Sequence, residues 1–311
     1  MVTGASAGIG KEIARGLARQ EARVAIVCRD PARGAAAAAE LRLAAPRTEV
    51  SLFLADVSVL GDVRRLAAEL HDAYGRVDVL VNNAGTHDPY AAVSADGFDR
   101  MIATNHLGPF LLTHSLLDLL ERGAPSRVIM IASESHRLVT GIDPMSFHQP
   151  GSYGPIGSMR VYARSKMLCV LFAQEAAERW RDRGVRATSV CPGFVLTDMS
   201  RSAPIIAPLF AAGARTPLVT SPAESVKVIL RLATDPAFAH RGGEFHSTAL
   251  GFGLLPKAFL RFNTGLQREV WERSKELVCL LPGTVTAPGR PAHRPTASDP
   301  DKTTTGGDDN G

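Results

Sequence analysis

The sequence has few cysteines and no metal-binding pattern of histidines. Its 4 Cys, at positions 28, 169, 191 and 279, form no Cys-x-x-Cys, and its 9 His contain neither His-x-x-x-His nor His-Glu-x-x-His. These absences leave no sequence support for a disulfide framework or a metal site. Because Cys28 and Cys191 lie in apolar runs, we expect buried free thiols in a reducing compartment such as the cytoplasm.

Long hydrophobic runs and dense basic clusters are also missing. No uncharged apolar run approaches the ~20 residues that span a bilayer, and no signal peptide opens the chain. The longest apolar stretch, 203–214, is interrupted by Pro204 and Pro208, which favours a flap over a pocket at about 198–220. The net charge of +4 comes without Lys/Arg clusters interleaved with aromatics, so we expect a soluble protein that does not bind nucleic acid.

Short runs of β-branched and apolar residues alternate with longer amphipathic segments. Strands are predicted at 23–28, 50–55, 77–81, 127–132 and 185–190, and helices near 8–20, 32–44, 60–74, 97–121, 161–183, 221–234 and 266–277. This alternation is typical of a parallel sheet with helices on both faces. With 311 residues, 45% of them hydrophobic, the chain is long enough for one doubly wound α/β domain over residues 1–281.

Both ends of the chain depart from this pattern. Only Met1, Val2 and Thr3 precede the first glycine of a loop, whereas a strand usually has about 5–6 residues. Either the native start lies upstream or the first strand is short. From Pro282 onward, apolar periodicity gives way to Pro, Gly, Thr, Asp and Arg, so residues 282–311 are predicted to be a disordered tail.

Three glycines, Gly4, Gly8 and Gly10, lie between the first strand and the first helix. Because they lack side chains, the backbone and the helix N-terminus can approach a pyrophosphate, which the free N–H groups and the helix dipole favour. The Gly-x-x-x-Gly-x-Gly spacing differs from the common Gly-x-Gly-x-x-Gly fingerprint. In this strand-loop-helix context the segment is interpreted as nucleotide-binding rather than as a tight turn alone.

Tyr162 and Lys166 are four residues apart in a predicted helix, so their side chains lie on one face. Tyrosine, with a pKa of about 10, is a poor base at neutral pH, and a nearby ammonium favours its phenolate. Alone, the pair is also compatible with a solvated helix face. It follows, in order, the glycine loop, Asn82-Asn83-Ala84-Gly85, Asn105 and Ser133, and this series indicates an acid/base site.

With these motifs, residues 1–280 resemble the short-chain dehydrogenase/reductase family, which has a Rossmann-type fold. The resemblance implies a catalytic tetrad of Asn105, Ser133, Tyr162 and Lys166. It also implies that a nicotinamide cofactor is bound by Gly4, Ser6, Gly8, Ile9, Gly10, Arg29, Asp56, Val57, Asn83, Ala84, Gly85, Tyr162, Lys166, Pro192, Gly193, Val195 and Thr197. In this family the pair Asp56-Val57 corresponds to adenine contacts, and the loop 192–197 folds over the nicotinamide.

Two tetrad positions have alternatives. Ser133 follows a predicted strand, where ligands of open α/β sheets bind, and Ser135 is its rival. Ser133 is preferred because it takes the position of the family's serine after Ile131-Ala132. Asn105 is predicted to open an apolar helix and, by the resemblance, to hold a water relay to Lys166; a local backbone hydrogen bond is the alternative.

Cofactor choice depends on the end of the second strand, Val27-Cys28-Arg29-Asp30. An acidic residue there would accept from the ribose 2′-hydroxyl, whereas an arginine can pair with a 2′-phosphate. By the resemblance, Cys28 takes the acid's position and Arg29 follows it, which favours NADP over NAD. Asp30 competes as a ribose ligand, and a plain surface position is the alternative for Arg29.

The segments 105–110, 221–224 and 269–272 resemble the retinol-dehydrogenase-like branch of the family, as does the long interval from Ser133 to Tyr162. Apolar residues of the predicted flap agree with an extended apolar substrate; they are Ile205, Ile206, Leu209 and Phe210. We therefore predict an NADP-dependent enzyme that interconverts a hydrophobic alcohol and its aldehyde or ketone, with Tyr162 as acid/base.

Other functions and assemblies are open at this point. A non-catalytic nucleotide sensor would use the same fold, although it would not need the proton-handling tetrad. A sugar-nucleotide epimerase also uses Tyr-x-x-x-Lys, but would require a larger C-terminal substrate domain. The apolar helices near 105–120 and 160–178 would either pair between subunits of a homo-oligomer or pack within one chain.

Overall fold

Strands and helices alternate along the chain. The computed structural model describes residues 1–195, 219–220, 222–249 and 258–280. The strands are β1 Val2–Thr3, β2 Val24–Cys28, β3 Val50–Leu54, β4 Val79–Asn82, β5 Ser126–Ile131, β6 Val185–Cys191, β7 Phe194–Val195, β8 Val219–Thr220 and β9 Phe245–Ser247. The helices are α1 Gly8–Arg19, α2 Pro31–Ala44, α3 Leu60–Ala73, α4 Arg100–Ile102, α5 Gly108–Ser115, α6 Leu117–Arg122, α7 Pro155–Arg179, α8 Pro222–Ser225, α9 Lys227–Thr234 and α10 Thr264–Leu277. Most of the predicted flap and the whole predicted tail lie outside the described residues.

Seven strands form one parallel sheet in the order β3-β2-β1-β4-β5-β6-β9, and β7 pairs with β8 separately. Although β1 is short, it pairs on both sides, with Val2 opposite Ile26 of β2 and Val81 of β4. The chain reverses its direction of winding between β1 and β4. Ligands of doubly wound sheets bind at the carboxyl ends of the strands at such a point. The predicted Rossmann-type fold is confirmed.

The sheet has a hydrophobic core on each face. Along β2, alternate residues face opposite sides, so Ala25 and Val27 enter one core while Ile26 and Cys28 enter the other. The first core is covered by α3, α5, α7 and α10, and the second by α1, α2 and α9. Burial on both faces explains why these strands read as continuous apolar runs rather than alternating ones.

Helix α10, the last one in the described part of the chain, packs into the first core beside α5 and α7. The Trp271 ring stacks on Phe172, with centroids 5.5 Å apart and planes at 11°, and it lies 4.9 Å from the His114 ring. His106 shares a hydrogen bond of 2.8 Å between its Nε2 and the Ser274 hydroxyl. Burial lowers the pKa of His106 to about 3 and that of His114 to about 4. The apolar residues of α5 and α7 thus pack within one chain.

The structure differs from the prediction at the helix expected over 97–121. Helix α4 begins at Arg100, because the Asp99 side chain accepts hydrogen bonds from the N–H groups of Met101 and Ile102. Residues Ala103–Leu107 then wind as one π-helical turn before α5. Asn105 therefore lies inside this helical segment, and the prediction that it opens a helix was wrong.

Two further elements differ in extent. Helix α7 begins at Pro155, six residues before the predicted start, because proline is well placed in the first turn of a helix. Strand β9, which was not predicted, extends the sheet by pairing with β6. Its three residues Phe-His-Ser carry too weak an alternation to be recognised.

Candidate active site

The glycine loop lies between β1 and α1 at the winding reversal. Gly4 and Gly8 have positive φ angles of 66° and 57°, which favour glycine. A Cβ on Gly4 would lie 2.8 Å from the Ala84 Cα, and one on Gly10 would overlap the Gly4 carbonyl and the Asn83 amide. Ala7, which precedes α1, has no side chain that could cap the first turn, so it leaves the N–H groups of that turn to other partners such as an anion.

Asn83 joins this loop to the end of β4. Its Nδ2 donates to the carbonyls of Thr3 at 2.9 Å and Gly4 at 3.2 Å. The Thr3 hydroxyl oxygen in turn accepts from the N–H groups of Asn83 and Ala84, both at 3.0 Å. The structure thus brings together Gly4, Gly10, Asn83 and Ala84, while Ser6 and Ile9 are half-buried in the loop and the first turn of α1.

Arg29 follows β2 and is largely exposed. Its side chain is 75% exposed and lies 3.5 Å from a carboxylate oxygen of Asp56. The Asp30 carboxylate instead accepts from the Arg33 N–H at 2.9 Å and caps α2, so Asp30 is already engaged as a helix cap. Val57 is buried, and its carbonyl lies against Gly108.

Tyr162 faces Ser133 across the carboxyl end of β5. Burial raises the pKa of Tyr162 above its ordinary value, while the Lys166 ammonium and the neighbouring Ser133 hydroxyl oppose the rise. Ser133 Oγ accepts from the Ser135 N–H at 3.2 Å. The Ser135 hydroxyl is buried without a partner among the described residues. Of the two serines, the structure places Ser133 against the tyrosine.

Lys166 is buried, with 4% exposure. Its Nζ donates to the Ile131 carbonyl at 2.9 Å and lies 5.6 Å from the centroid of the Tyr162 ring. The ammonium therefore acts on the phenol through space. A Cβ on Gly85 would lie 3.4 Å from this Nζ and 3.1 Å from Asn105 Oδ1, so a side chain at that position would crowd both groups.

The carboxamide of Asn105 is fully engaged with its neighbours. Oδ1 accepts from the Thr86 N–H at 2.8 Å, and Nδ2 donates to the Thr86 carbonyl at 3.0 Å and the Ser165 hydroxyl at 2.8 Å. The Cys169 thiol approaches the Asn105 main-chain carbonyl at 3.2 Å. Asn105 thus fixes the loop after β4 against α7. The water relay to Lys166 stays a prediction.

His87 is a site residue that the sequence reasoning missed. Its ring centroid lies 5.2 Å from that of Tyr162, with the planes at 73°. Its Nε2 is 3.0 Å from the Ser158 hydroxyl. The available signal was its position two residues after the Asn83-Ala84-Gly85 motif, together with the four-residue spacing of Ser158 and Tyr162.

The segment after β6 leads away from the same edge of the sheet. Gly193 has a φ angle of 84°, and Val195 is buried in the short strand β7. Pro192 is also buried. Thr197 and the proposed flap residues Ile205, Ile206, Leu209 and Phe210 lie outside the described residues.

Two absences among the described residues bear on other site types. Within residues 1–195, 219–220, 222–249 and 258–280, no group of three or more His, Cys, Asp or Glu is arranged to hold a metal ion. Across the same part of the chain, no helix has both the length and the apolar character needed to traverse a bilayer.

Comparison with known proteins gives consistent matches over most of the chain. The family described as "Enoyl-(Acyl carrier protein) reductase" matches residues 4–248. Human "Retinol dehydrogenase 12" is 33% identical over 278 residues, which cover 89% of this chain and 85% of the relative. Mouse "Retinol dehydrogenase 14" is 34% identical over 299 residues, which cover 90% of this chain and 86% of that relative. Among solved structures, the "Pseudomonas aeruginosa RhlG/NADP active-site complex" has a TM-score of 0.64 at 29% identity and covers 81% of this chain and 94% of that one.

Proposed function

The chain belongs to the short-chain dehydrogenase/reductase family, and from this premise we propose that it uses NADP to interconvert a hydrophobic alcohol and its aldehyde or ketone. One observation carries the proposal. The Ser133 hydroxyl neighbours the Tyr162 phenol and lowers its pKa, and the Lys166 ammonium lies 5.6 Å from the Tyr162 ring centroid. An acid, a polar partner and a fixed cation thus meet where open α/β sheets bind ligands.

The residues around the glycine loop fit a dinucleotide. Gly4 and Gly10 allow close packing of the loop at points where a Cβ would meet neighbouring atoms. The first turn of α1, which follows Ala7 and has no cap from that residue, would present N–H groups to a pyrophosphate. Asn83 holds the loop against the end of β4 through two hydrogen bonds. When bound, the nicotinamide cofactor supplies or accepts the hydride.

Tyr162 handles the proton in the proposed reaction. Because burial raises its pKa, the phenol carries its proton at neutral pH and can give it to the carbonyl oxygen during reduction. Ser133 steadies that oxygen by hydrogen bonding. Lys166 stabilises the phenolate that remains, and the Ile131 carbonyl holds its Nζ in place. Asn105 positions the adjacent loop through Thr86.

Three observations support NADP rather than NAD. Arg29 presents an exposed guanidinium after β2, which suits bidentate pairing with a 2′-phosphate. Asp30, the competing ribose ligand, accepts from the Arg33 N–H as a helix cap. The structural relative from Pseudomonas aeruginosa is a complex with NADP.

The hydrophobic substrate is supported by two relatives that are named retinol dehydrogenases. Names of relatives define a class of substrate rather than one compound, so a panel of carbonyls is the appropriate test. A cytoplasmic location and a homo-oligomeric state stay predictions from the sequence.

The experiment follows absorbance of reduced nicotinamide while NADPH or NADH is mixed with medium- and long-chain aldehydes, ketones and retinal. We expect carbonyl-dependent oxidation of NADPH. Tyr162→Phe should abolish it and leave NADPH affinity nearly unchanged, because the phenol oxygen is the only atom removed. Tyr74→Phe is the matched control, since Tyr74 contacts Phe53 and Arg23 through its ring, which phenylalanine retains. Full turnover in Tyr162→Phe would refute the assignment, and tight NADPH binding without any turnover would favour a sensor.

A further inference from the structure

His87 is held rigidly beside Tyr162 by the residues on either side of it. Both main-chain polar groups of Thr86 are bonded to the Asn105 carboxamide. Asp88, which is buried, receives two hydrogen bonds from the Arg100 guanidinium, at 2.9 and 2.8 Å. Such a bidentate pair fixes geometry as well as charge. The loop therefore presents the imidazole in one position.

The imidazole is a direct neighbour of the Tyr162 ring. Its centroid is 5.2 Å from that of Tyr162, and the planes meet at 73°. A carbonyl that accepts the Tyr162 proton must bind against the phenol oxygen, so its neighbouring carbons pass close to the imidazole. His87 is half-buried, which leaves part of its surface open to a ligand.

The hydrogen bonds around Ser158 assign the proton on His87. The Ser158 hydroxyl has one hydrogen, which it donates to the Pro155 carbonyl at 2.7 Å. Nε2, 3.0 Å from the same oxygen, must therefore be the donor in that contact. Burial lowers the pKa of His87, with Asp88 opposing the shift, so the ring is neutral at neutral pH and Nδ1 carries a lone pair.

Nδ1 of His87 is an acceptor for which the described residues supply no donor. Among the described residues no hydrogen bond reaches it, and it is not one of the buried unpartnered atoms, whereas Nδ1 of His106 is. The atom is thus not fully enclosed by the described residues. A ligand with a donor at this position would satisfy it, and a purely hydrocarbon ligand would cover it without a partner.

We propose that His87 determines substrate specificity by accepting a hydrogen bond at Nδ1 from a second polar group of the substrate. This inference rests on the proposed oxidoreductase function and narrows its substrate class to hydrophobic hydroxy ketones or hydroxy aldehydes, and the diols that are their reduced forms. The hydroxyl lies close to the carbonyl carbon, because the two rings are in contact. Sites that hydrogen-bond a substrate hydroxyl discriminate against the analogue that lacks it.

The test compares a long-chain methyl ketone with the hydroxymethyl ketone of the same length. We expect wild type to prefer the hydroxy ketone about tenfold in kcat/KM, as one net hydrogen bond supplies. His87→Phe retains an aromatic ring but has no acceptor, so the ratio should fall to about one. Ser158→Ala removes the partner that fixes the tautomer of His87. The ratio for this variant should lie between those of wild type and His87→Phe.

The matched control is His240→Phe, because His240 is an exposed histidine before β9; its ratio should equal that of wild type. Since each ratio is formed within one variant, loss of folded protein cancels. Calorimetry of both ketones on the enzyme–NADP⁺ complex gives the same comparison without turnover. Equal affinities in wild type, or an unchanged preference in His87→Phe, would overturn the specificity inference and leave the oxidoreductase proposal intact. A binding preference that depends on His87, without hydride transfer to either ketone, would overturn the proposed function alone.

Discussion

Gly10→Ala is the sharpest test of the nucleotide cradle. A Cβ at this position would overlap the Gly4 carbonyl oxygen and Asn83 Nδ2, and both belong to groups that shape the loop. Either Asn83 or the loop must therefore move. If both Asn83 hydrogen bonds are lost, at about 1 kcal/mol each, the penalty is about 2 kcal/mol.

This penalty should appear in cofactor binding, because the displaced loop is the part that would contact the pyrophosphate. About 2 kcal/mol corresponds to a roughly 30-fold rise in the dissociation constant of NADPH. Calorimetric titration measures that constant, and urea unfolding of the cofactor-free protein measures how much of the penalty falls on stability instead.

Gly61→Ala provides the control for this experiment. A Cβ at Gly61 in α3 would meet nothing within 4 Å, and alanine in a helix is more stable than glycine by roughly 0.5–1 kcal/mol. We expect unchanged NADPH affinity and equal or slightly higher stability. If Gly10→Ala matches Gly61→Ala in both affinity and stability, the cradle does not depend on the absence of a side chain, and the reasoning fails.

Three further predictions concern the cofactor, acid stability and the loop after β4. Arg29→Ala should raise the KM for NADPH by about tenfold or more and leave that for NADH unchanged, because only NADPH carries the 2′-phosphate; equal effects on both cofactors would contradict the assignment. Acid should destabilise the fold between about pH 6.5 and 4. Burial lowers the pKa of His114 to about 4, so His114 stays neutral in the folded protein at pH values at which the unfolded chain takes up a proton. In urea unfolding, the contribution of His114 should lower the free energy of unfolding by about 3 kcal/mol at pH 4. His114→Phe should reduce this loss. Asn105→Ala should lower kcat more than it raises the KM for NADPH, because the loop carrying Thr86 and His87 loses its anchor; steady-state kinetics with saturating NADPH tests this.

The sequence predicted the strands and the major helices because their apolar periods are long and continuous. Strand β2 is buried at all five positions, and a run of that kind has few other interpretations. The same local reasoning failed at Asn105. The helix start at Arg100, capped by Asp99, and the π-helical turn depend on which N–H groups find partners, and apolar periodicity does not report that.

Motif order suggested the residues of the candidate site, but it could not give their hydrogen bonds. The spacing of Tyr162 and Lys166 correctly placed both side chains on one face of α7. Sequence alone could not show that Ser133, rather than Ser135, faces the phenol, or that Asp30 caps a helix. His87 was missed because its significance arises from a contact with α7, more than 70 residues later in the chain.

The hydrogen bond between His106 and Ser274 has a consequence for how the protein is made. His106 is adjacent to Asn105, whereas Ser274 lies on α10, 168 residues further along the chain. A domain emerging from the ribosome in order would expose the core face of α5 until α10 arrives. The hydrogen bond of His106, next to Asn105, can therefore form only after nearly the whole domain has been synthesised. Translation stalled before α10 should yield a chain that has every proposed catalytic residue but lacks this contact beside them.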